Sequence, residues 1–398
     1  MSITIIITFC ILLLLAYLFD LSSSKTRIPS VILLMLLGYV IRQITLSLNI
    51  DLPDFSDFLP TLGTIGLILI VLEGSLELDL NKSKIGLIQK SFFGSMFSIV
   101  GLSFLLAFIF LYFGQYSLRD SLINAIPFVI ISSAVAIPSA KNLSANHKEF
   151  IIYESSFSDI LGVLFFNFIA VNEVFNLASF GHFGFQILII IAISFVATIG
   201  LLFLLHKIEH HIKFVPIILL VTLIYAISEL FHLPALIIVL VFGLFIGNID
   251  ELRRFKFLDR FHPEELRAEI VKFKELTIEA TFMVRSVFFL LFGYLIDTSQ
   301  ILNTRSLVWS LAIIYVIYIF RVIQLSLSKL PLKPLLFVAP RGLITILLFL
   351  SISQSQRIST VNESLVTQII ILTSIFMMIG IMGADKKEVK APTLKSEN

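Results

Sequence analysis

The chain has one cysteine, Cys10, among 398 residues. That excludes an internal disulfide and any metal site built from cysteine alone. Charge is scarce as well. Asp, Glu, Lys and Arg make up 14% of the sequence against 58% hydrophobic residues, whereas soluble domains are about 25% charged and about 45–50% apolar. A soluble fold of this length has no interior large enough for so much apolar surface. No Lys or Arg precedes the first apolar run, and no small-residue cleavage site follows Ala16-Tyr17-Leu18-Phe19, so residues 2–19 read as a retained helix. The sequence also has no P-loop, no Gly-rich nucleotide loop and no histidine-based zinc motif, which argues against ATP-driven transport on this chain.

What is present is a succession of apolar segments. Thirteen can be marked, at roughly 2–19, 28–46, 61–78, 85–113, 118–140, 150–171, 183–205, 214–231, 233–249, 276–296, 306–328, 332–353 and 364–384. Most are long enough to cross ~30 Å of hydrocarbon, and lipid cannot satisfy a free backbone, so each reads as a helix. The fold class is an all-α polytopic membrane protein with thirteen transmembrane helices. Residues 1–384 form the membrane domain. Residues 385–398, rich in Lys, Glu, Pro and Ser, form a cytoplasmic tail.

Positive charge is distributed unevenly along this map. Of the 29 Lys and Arg, only Arg42, Arg119, Arg305 and Arg357 fall in connections opposite the tail. Arg285, Arg321 and Arg341 lie inside segments. The rest share the tail's side. They include Lys25, Arg27, Lys82, Lys84, Lys90, Lys141, Lys148 and the cluster from Arg253 to Lys274. Cytoplasmic loops are enriched in Lys and Arg, so the N-terminus is expected outside and the C-terminus inside. His206, His210 and His211 have metal-ligand spacing, but they sit with Lys207 and Lys213 and read as a solvated basic loop.

Ionisable residues within the membrane are costly and mark pairs or polar paths. The candidates are Glu73, Glu154, Asp159, Arg285, Arg321 and Arg341. All fall within a few residues of the cytoplasmic ends of their segments, roughly 6–14 Å deep at 1.5 Å per residue. In the sixth segment, Ser155 and Asp159 are four residues apart and share a helix face. A hydroxyl beside a carboxylate suits a small hard cation, which prefers oxygen ligands. Glu154 is five residues from Asp159 and points elsewhere, toward an arginine of another helix. Glu73 reads either as a further polar group for the cavity or as an interfacial residue with Glu77 and Asp79, and Arg285 reads as a structural cation.

Two segments carry internal prolines, Pro138 in the fifth and Pro340 in the twelfth. Proline removes a backbone donor and frees carbonyls. If segments 1–6 and 8–13 are repeats linked by segment 7, each interrupted helix is the fifth of its block. The two repeats are then inverted, and interrupted helices at matching positions point to a transporter's site.

With these residues placed, the chain resembles the monovalent cation:proton antiporter superfamily, and within it the NhaP-like sodium/proton exchangers. Lys25-Thr26-Arg27-Ile28-Pro29 followed by Leu36-Leu37-Gly38 looks like the family's second helix. Glu154 to Asp159 resembles its Glu-Ser-x-x-Asn-Asp helix. Phe288-Phe289-Leu290-Leu291-Phe292-Gly293 looks like its Phe-Phe-x-x-x-Gly helix, and Arg341-Gly342 like the Arg-Gly of its crossed helix. The resemblance implies the sodium/proton antiporter fold, with two inverted six-helix repeats and crossed discontinuous helices 5 and 12. It also implies a core domain, a dimerisation domain, elevator-type alternating access and a homodimer. On the same resemblance Asp159 is expected to be the cation and proton site. Arg321 is the partner of Glu154, with Arg341 nearby. Two positions depart from the pattern: Ser158 replaces an Asn or Asp, and Ser132-Ser133 replaces the Thr-Asp of many relatives. One ion-binding carboxylate remains where some relatives have two.

The mechanism expected is competition of Na⁺ and H⁺ for Asp159, with Ser132, Ser133, Ser155, Ser158, Glu73 and carbonyls near Pro138 completing the shell. Each exchange then moves one charge each way, an electroneutral 1:1 antiport of Na⁺ or Li⁺ for H⁺. No cofactor is implied beyond the transported ions. The lipid bilayer is the surroundings, nucleic acid is not a partner, and the location is a bacterial inner membrane. A K⁺/H⁺ antiporter of the same fold is the alternative. A channel, a non-transporting membrane sensor and a solute symporter are the readings from other classes.

Overall fold

The structure is a computed structural model that describes residues 2–26, 28–49, 58–78, 82–140, 143–172, 177–207, 214–230, 235–248 and 263–383. The expected tail and the connection carrying His210 and His211 lie outside the described residues. All regular elements among the described residues are helical, as a chain surrounded by lipid requires.

In chain order the helices are α1 (Ser2–Thr26), α2 (Ser30–Ser47), α3 (Phe58–Glu77), α4 (Ile85–Gly114), α5 (Leu118–Ala125), α6 (Ser133–Ser139), α7 (Ala145–Val171) and α8 (Leu177–Lys207). There follow α9 (Phe214–Leu230), α10 (Leu236–Gly247), α11 (Pro263–Leu295), the single turn α12 (Thr298–Ile301), α13 (Thr304–Leu327), α14 (Leu343–Ser351) and α15 (Glu363–Met382). Several starts are set by side chains that take up orphan backbone donors. Ser117 accepts from the Asp120 N–H at 3.0 Å. Asn303 accepts from Ser306 at 3.1 Å, and Asn362 from Leu365 at 2.9 Å.

Nine helices among the described residues are long and apolar enough to cross a membrane, the α5–α6 run Leu118–Ser139 counting as one of them. Three shorter apolar helices, Cys10–Ser22, Phe214–Leu230 and Leu236–Gly247, coincide with the first, eighth and ninth expected segments. The twelfth segment is not one helix. It turns at 333–337, runs without regular structure through 338–342, and only α14 is helical.

One bundle packs α2 and α3 against α11, with α10 against α3 and α8. Its closest approach is α2 on α11. A Cβ on Gly38 would strike the backbone of Leu290, and one on Gly293 the backbone of Met35. With no side chain between them the backbones touch, as small residues allow between membrane helices. Phe288 and Phe289 beside this contact are fully buried. A second bundle packs α4 against α5 and α7, and α13 against α4 and α15. Helix α3 touches both, because it also meets α6, α7 and α14. The site lies along that face of α3.

Candidate cation site at a crossing of two broken helices

The fifth segment breaks at Ile130–Ser132, between a 3₁₀ turn at Ile126–Phe128 and α6. Sequence reasoning put the break at Pro138. Pro138 instead lies within the last turn of α6. The backbone leaves the helix six residues earlier because other partners take its polar groups. The Ile131 N–H donates to Ser158 Oγ at 2.9 Å, and the Ser132 N–H donates to the Pro340 carbonyl at 3.0 Å. The second bond links the two interrupted segments directly.

The crossing is tight. A Cβ on Gly342 would lie 2.8 Å from Ser132 Oγ and 2.9 Å from Val135 Cγ2. Only glycine fits between these extended strands without moving them. The break in the twelfth segment falls at Pro340, as its sequence predicts.

Arg341, beside this glycine, is 1% exposed. Its guanidinium donates from Nε to the Phe128 carbonyl at 2.7 Å, from Nη2 to Val129 O at 3.2 Å and from Nη1 to Ala339 O. The Phe128 and Val129 carbonyls end the first half of the broken fifth segment and Ala339 lies in the break of the twelfth, where helical partners are missing. Sequence reasoning grouped Arg341 with an ion pair. The structure corrects this: its hydrogen bonds go to backbone carbonyls and not to a carboxylate.

Glu154 and Arg321 do pair. Arg321 donates to both carboxylate oxygens, from Nη1 to Oε1 and from Nη2 to Oε2 at 2.8 Å. The guanidinium also reaches Leu335 O and Val338 O at 3.1 and 3.2 Å. Gln324 Nε2 adds a bond to Oε1 of Glu154 at 2.6 Å. All three side chains are buried. A bidentate pair of this kind is strong and directional. It fastens α7 to α13 and to the chain leading into Pro340.

Asp159 is surrounded differently. It is 1% exposed and makes no ion pair among the described residues. Oδ2 accepts from the Ser133 hydroxyl and from the Ser133 N–H, the latter at 3.3 Å. Oδ1 has no hydrogen-bond partner among the described residues. The side chain lies in a narrow crevice lined by Val71 and Ser75 of α3, Ser133 of α6, Ser156 of α7 and Leu240 of α10. The Ser156 hydroxyl in this crevice is buried and also unpartnered, as are those of Ser132 and Thr345 at the two broken segments.

Three expected members of the shell lie elsewhere. Ser155 Oγ donates to the Ile151 carbonyl at 2.7 Å, the usual back-bond of a serine inside a helix. Ser158 Oγ is occupied by the Ile131 N–H. Glu73 is half-buried on α3 and does not line the crevice. At 100° per residue, α3 turns Ile70, Val71 and Ser75 toward Asp159 and Glu73 away from it. Arg285 is half-buried on α11 with no ion pair among the described residues. Sequence reasoning missed Ser75 and Ser156, because their roles depend on how α3 is rotated against α7. It also missed Gln324, although the i, i+3 spacing from Arg321 was visible.

An all-helical membrane bundle in which two interrupted helices cross beside a buried carboxylate has the architecture of a secondary antiporter. The family model described as sodium/hydrogen exchanger, transmembrane, matches residues 10–384, and the chain belongs to that family of cation/proton antiporters. Its fold is shared with the sodium proton antiporter MjNhaP1 of Methanocaldococcus jannaschii. The structure of that protein at pH 8 superimposes with a TM-score of 0.64 at 18% identity, covering 96% of each chain. A second structure of the same antiporter, from an electron microscopy map, gives 0.66 at 17% identity over 96% of this chain and 95% of that one. No curated protein matches the sequence.

Proposed function

We propose that the chain exchanges Na⁺ or Li⁺ for H⁺, one for one and without net charge movement, with Asp159 as the site that both ions occupy in turn. One observation carries the reading. Asp159 is a buried carboxylate at the crossing of two broken helices, with one oxygen unpartnered and no guanidinium beside it. Glu154 nearby is neutralised by Arg321, so Asp159 is the acid left at the crossing for transport. Among the described residues no three His, Cys, Asp or Glu side chains cluster. A cation at Asp159 therefore relies on oxygens of Ser133, Ser156, Ser75 and the crossing, a hard-ligand set suited to an alkali cation.

Alternating access follows if the bundle carrying α7 moves against α3, which carries part of the crevice wall. The asymmetry of Lys and Arg supports an outside N-terminus and a cytoplasmic tail in a bacterial inner membrane. A homodimer is the expected assembly. Purified protein in vesicles, followed by dye dequenching on addition of Na⁺, Li⁺ or K⁺, tests the reading. A response to Na⁺ and Li⁺ that is lost in Asp159→Asn is the expected result. A response to K⁺ alone, or one retained in Asp159→Asn, overturns it.

A further inference from the structure

A cavity of about 520 Å³ opens on the outer face of the second bundle, between α4 and the end of α13. Gly86, Lys90, Phe93 and Gly94 of α4 line one wall; Gln324 and Leu327 of α13 line the other. The spacing on α4 is i, i+4, i+7 and i+8, one continuous helix face. Phe93 is 58% and Leu327 66% exposed, so the apolar walls continue onto the surface that faces lipid. The cavity is wide because Gly86 and Gly94 withhold side chains; a Cβ on Gly86 meets nothing within 4 Å.

Its polar side chains are Gln89 and Lys90 near the start of α4 and Gln324 and Ser328 on the side of α13. Lys90 stands in the wall near the start of α4, exposed and without an ion pair among the described residues. Five residues from Ile85, it is about 8 Å along the helix, in reach of the headgroup layer on the side where Lys and Arg collect. Exposed Lys329 follows Ser328, another residue of the wall. Deeper in is Gln324, whose amide is bonded to Glu154.

We propose that this cavity binds an anionic phospholipid, with its headgroup phosphate at Lys90 and an acyl chain along Phe93 and Leu327. An apolar trough that opens sideways to the bilayer fits a lipid tail. Positive charge at its cytoplasmic mouth selects an acidic headgroup over a zwitterionic one. Bound lipid would brace α4 against α13 directly beside the residue that holds Glu154.

The test is thermal unfolding of the detergent-purified protein with added phosphatidylglycerol, phosphatidylcholine or inorganic phosphate. A ligand that binds only the folded state raises Tm. Phosphatidylglycerol is expected to raise Tm by about 3 °C or more beyond phosphatidylcholine. Gly86→Leu, which fills the trough without a clash, and Lys90→Gln, which removes the charge, should each lose that increment. Lys148→Gln, an exposed lysine on α7 outside the cavity, should keep it. The proposal is overturned if the two lipids act alike on the unaltered chain, or if inorganic phosphate reproduces the effect. Retention of the increment in Gly86→Leu or Lys90→Gln, or its loss in Lys148→Gln, overturns it equally.

Discussion

Arg321 grips both carboxylate oxygens of Glu154, while Asp159, five residues along the same helix, receives only the hydroxyl and N–H of Ser133. Their partners thus set the two acids apart: Glu154 is fixed in a buried ion pair and Asp159 is not. Removing one member of a buried pair leaves an uncompensated charge and costs about 3–5 kcal/mol. Arg321→Ala is expected to lower the yield of folded protein sharply. Glu154→Gln together with Arg321→Met should recover part of it, because neither charge is then stranded. Size-exclusion profiles and melting curves read both, and an Arg321→Ala protein as stable as the unaltered chain would contradict the pairing.

Asp159→Asn should fold normally and transport nothing. The amide keeps the shape of the carboxylate and can still accept from Ser133, but it cannot trade a proton for a cation. Normal yield and melting with no dye response in vesicles is the expected pair of results.

Ser133→Ala removes the hydroxyl bonded to Asp159 and leaves the N–H bond in place. A hydrogen bond to a charged group is worth about 1.5–3 kcal/mol, so the apparent KM for Na⁺ should rise by about tenfold or more. Ser155→Ala should leave it within about twofold, because Ser155 does not line the crevice around Asp159. Equal effects of the two substitutions would move the cation to the other side of α7.

Competition at one carboxylate fixes the sign of the pH dependence. Protons displace Na⁺, so lowering pH on the cation side raises the apparent KM for Na⁺ and leaves the maximal rate unchanged. In the limit where the proton dominates, each pH unit changes KM about tenfold, by the same reciprocity that governs any two ligands of one site. A KM independent of pH, or a rate that follows an imposed membrane potential, would argue against electroneutral competition.

Gly342→Ala tests the crossing. The added Cβ meets Ser132 and Val135 at under 3 Å, and overpacking of this kind costs about 1–3 kcal/mol. The melting temperature should fall, and transport should fall with it, since Ser132 and Ser133 move together. An unchanged melting curve would show that the crossing yields more readily than its geometry suggests.

Helix positions follow from hydropathy because lipid leaves each segment one way to satisfy its backbone, and that much was legible in the sequence. So were the separate surroundings of Glu154 and Asp159, since five residues of helix separate their directions by more than a quarter turn. The break at Pro340 could be read as well. The break at Ile130–Ser132 could not, because it depends on the Pro340 carbonyl and the Ser158 hydroxyl arriving from other helices to replace helical bonds. The cation shell was beyond the sequence for the same reason. Which of Ser155, Ser156, Glu73 and Ser75 stands beside Asp159 is set by the rotation of α3 and α7 about their axes. Packing between helices decides that rotation, and no periodicity within one segment encodes it.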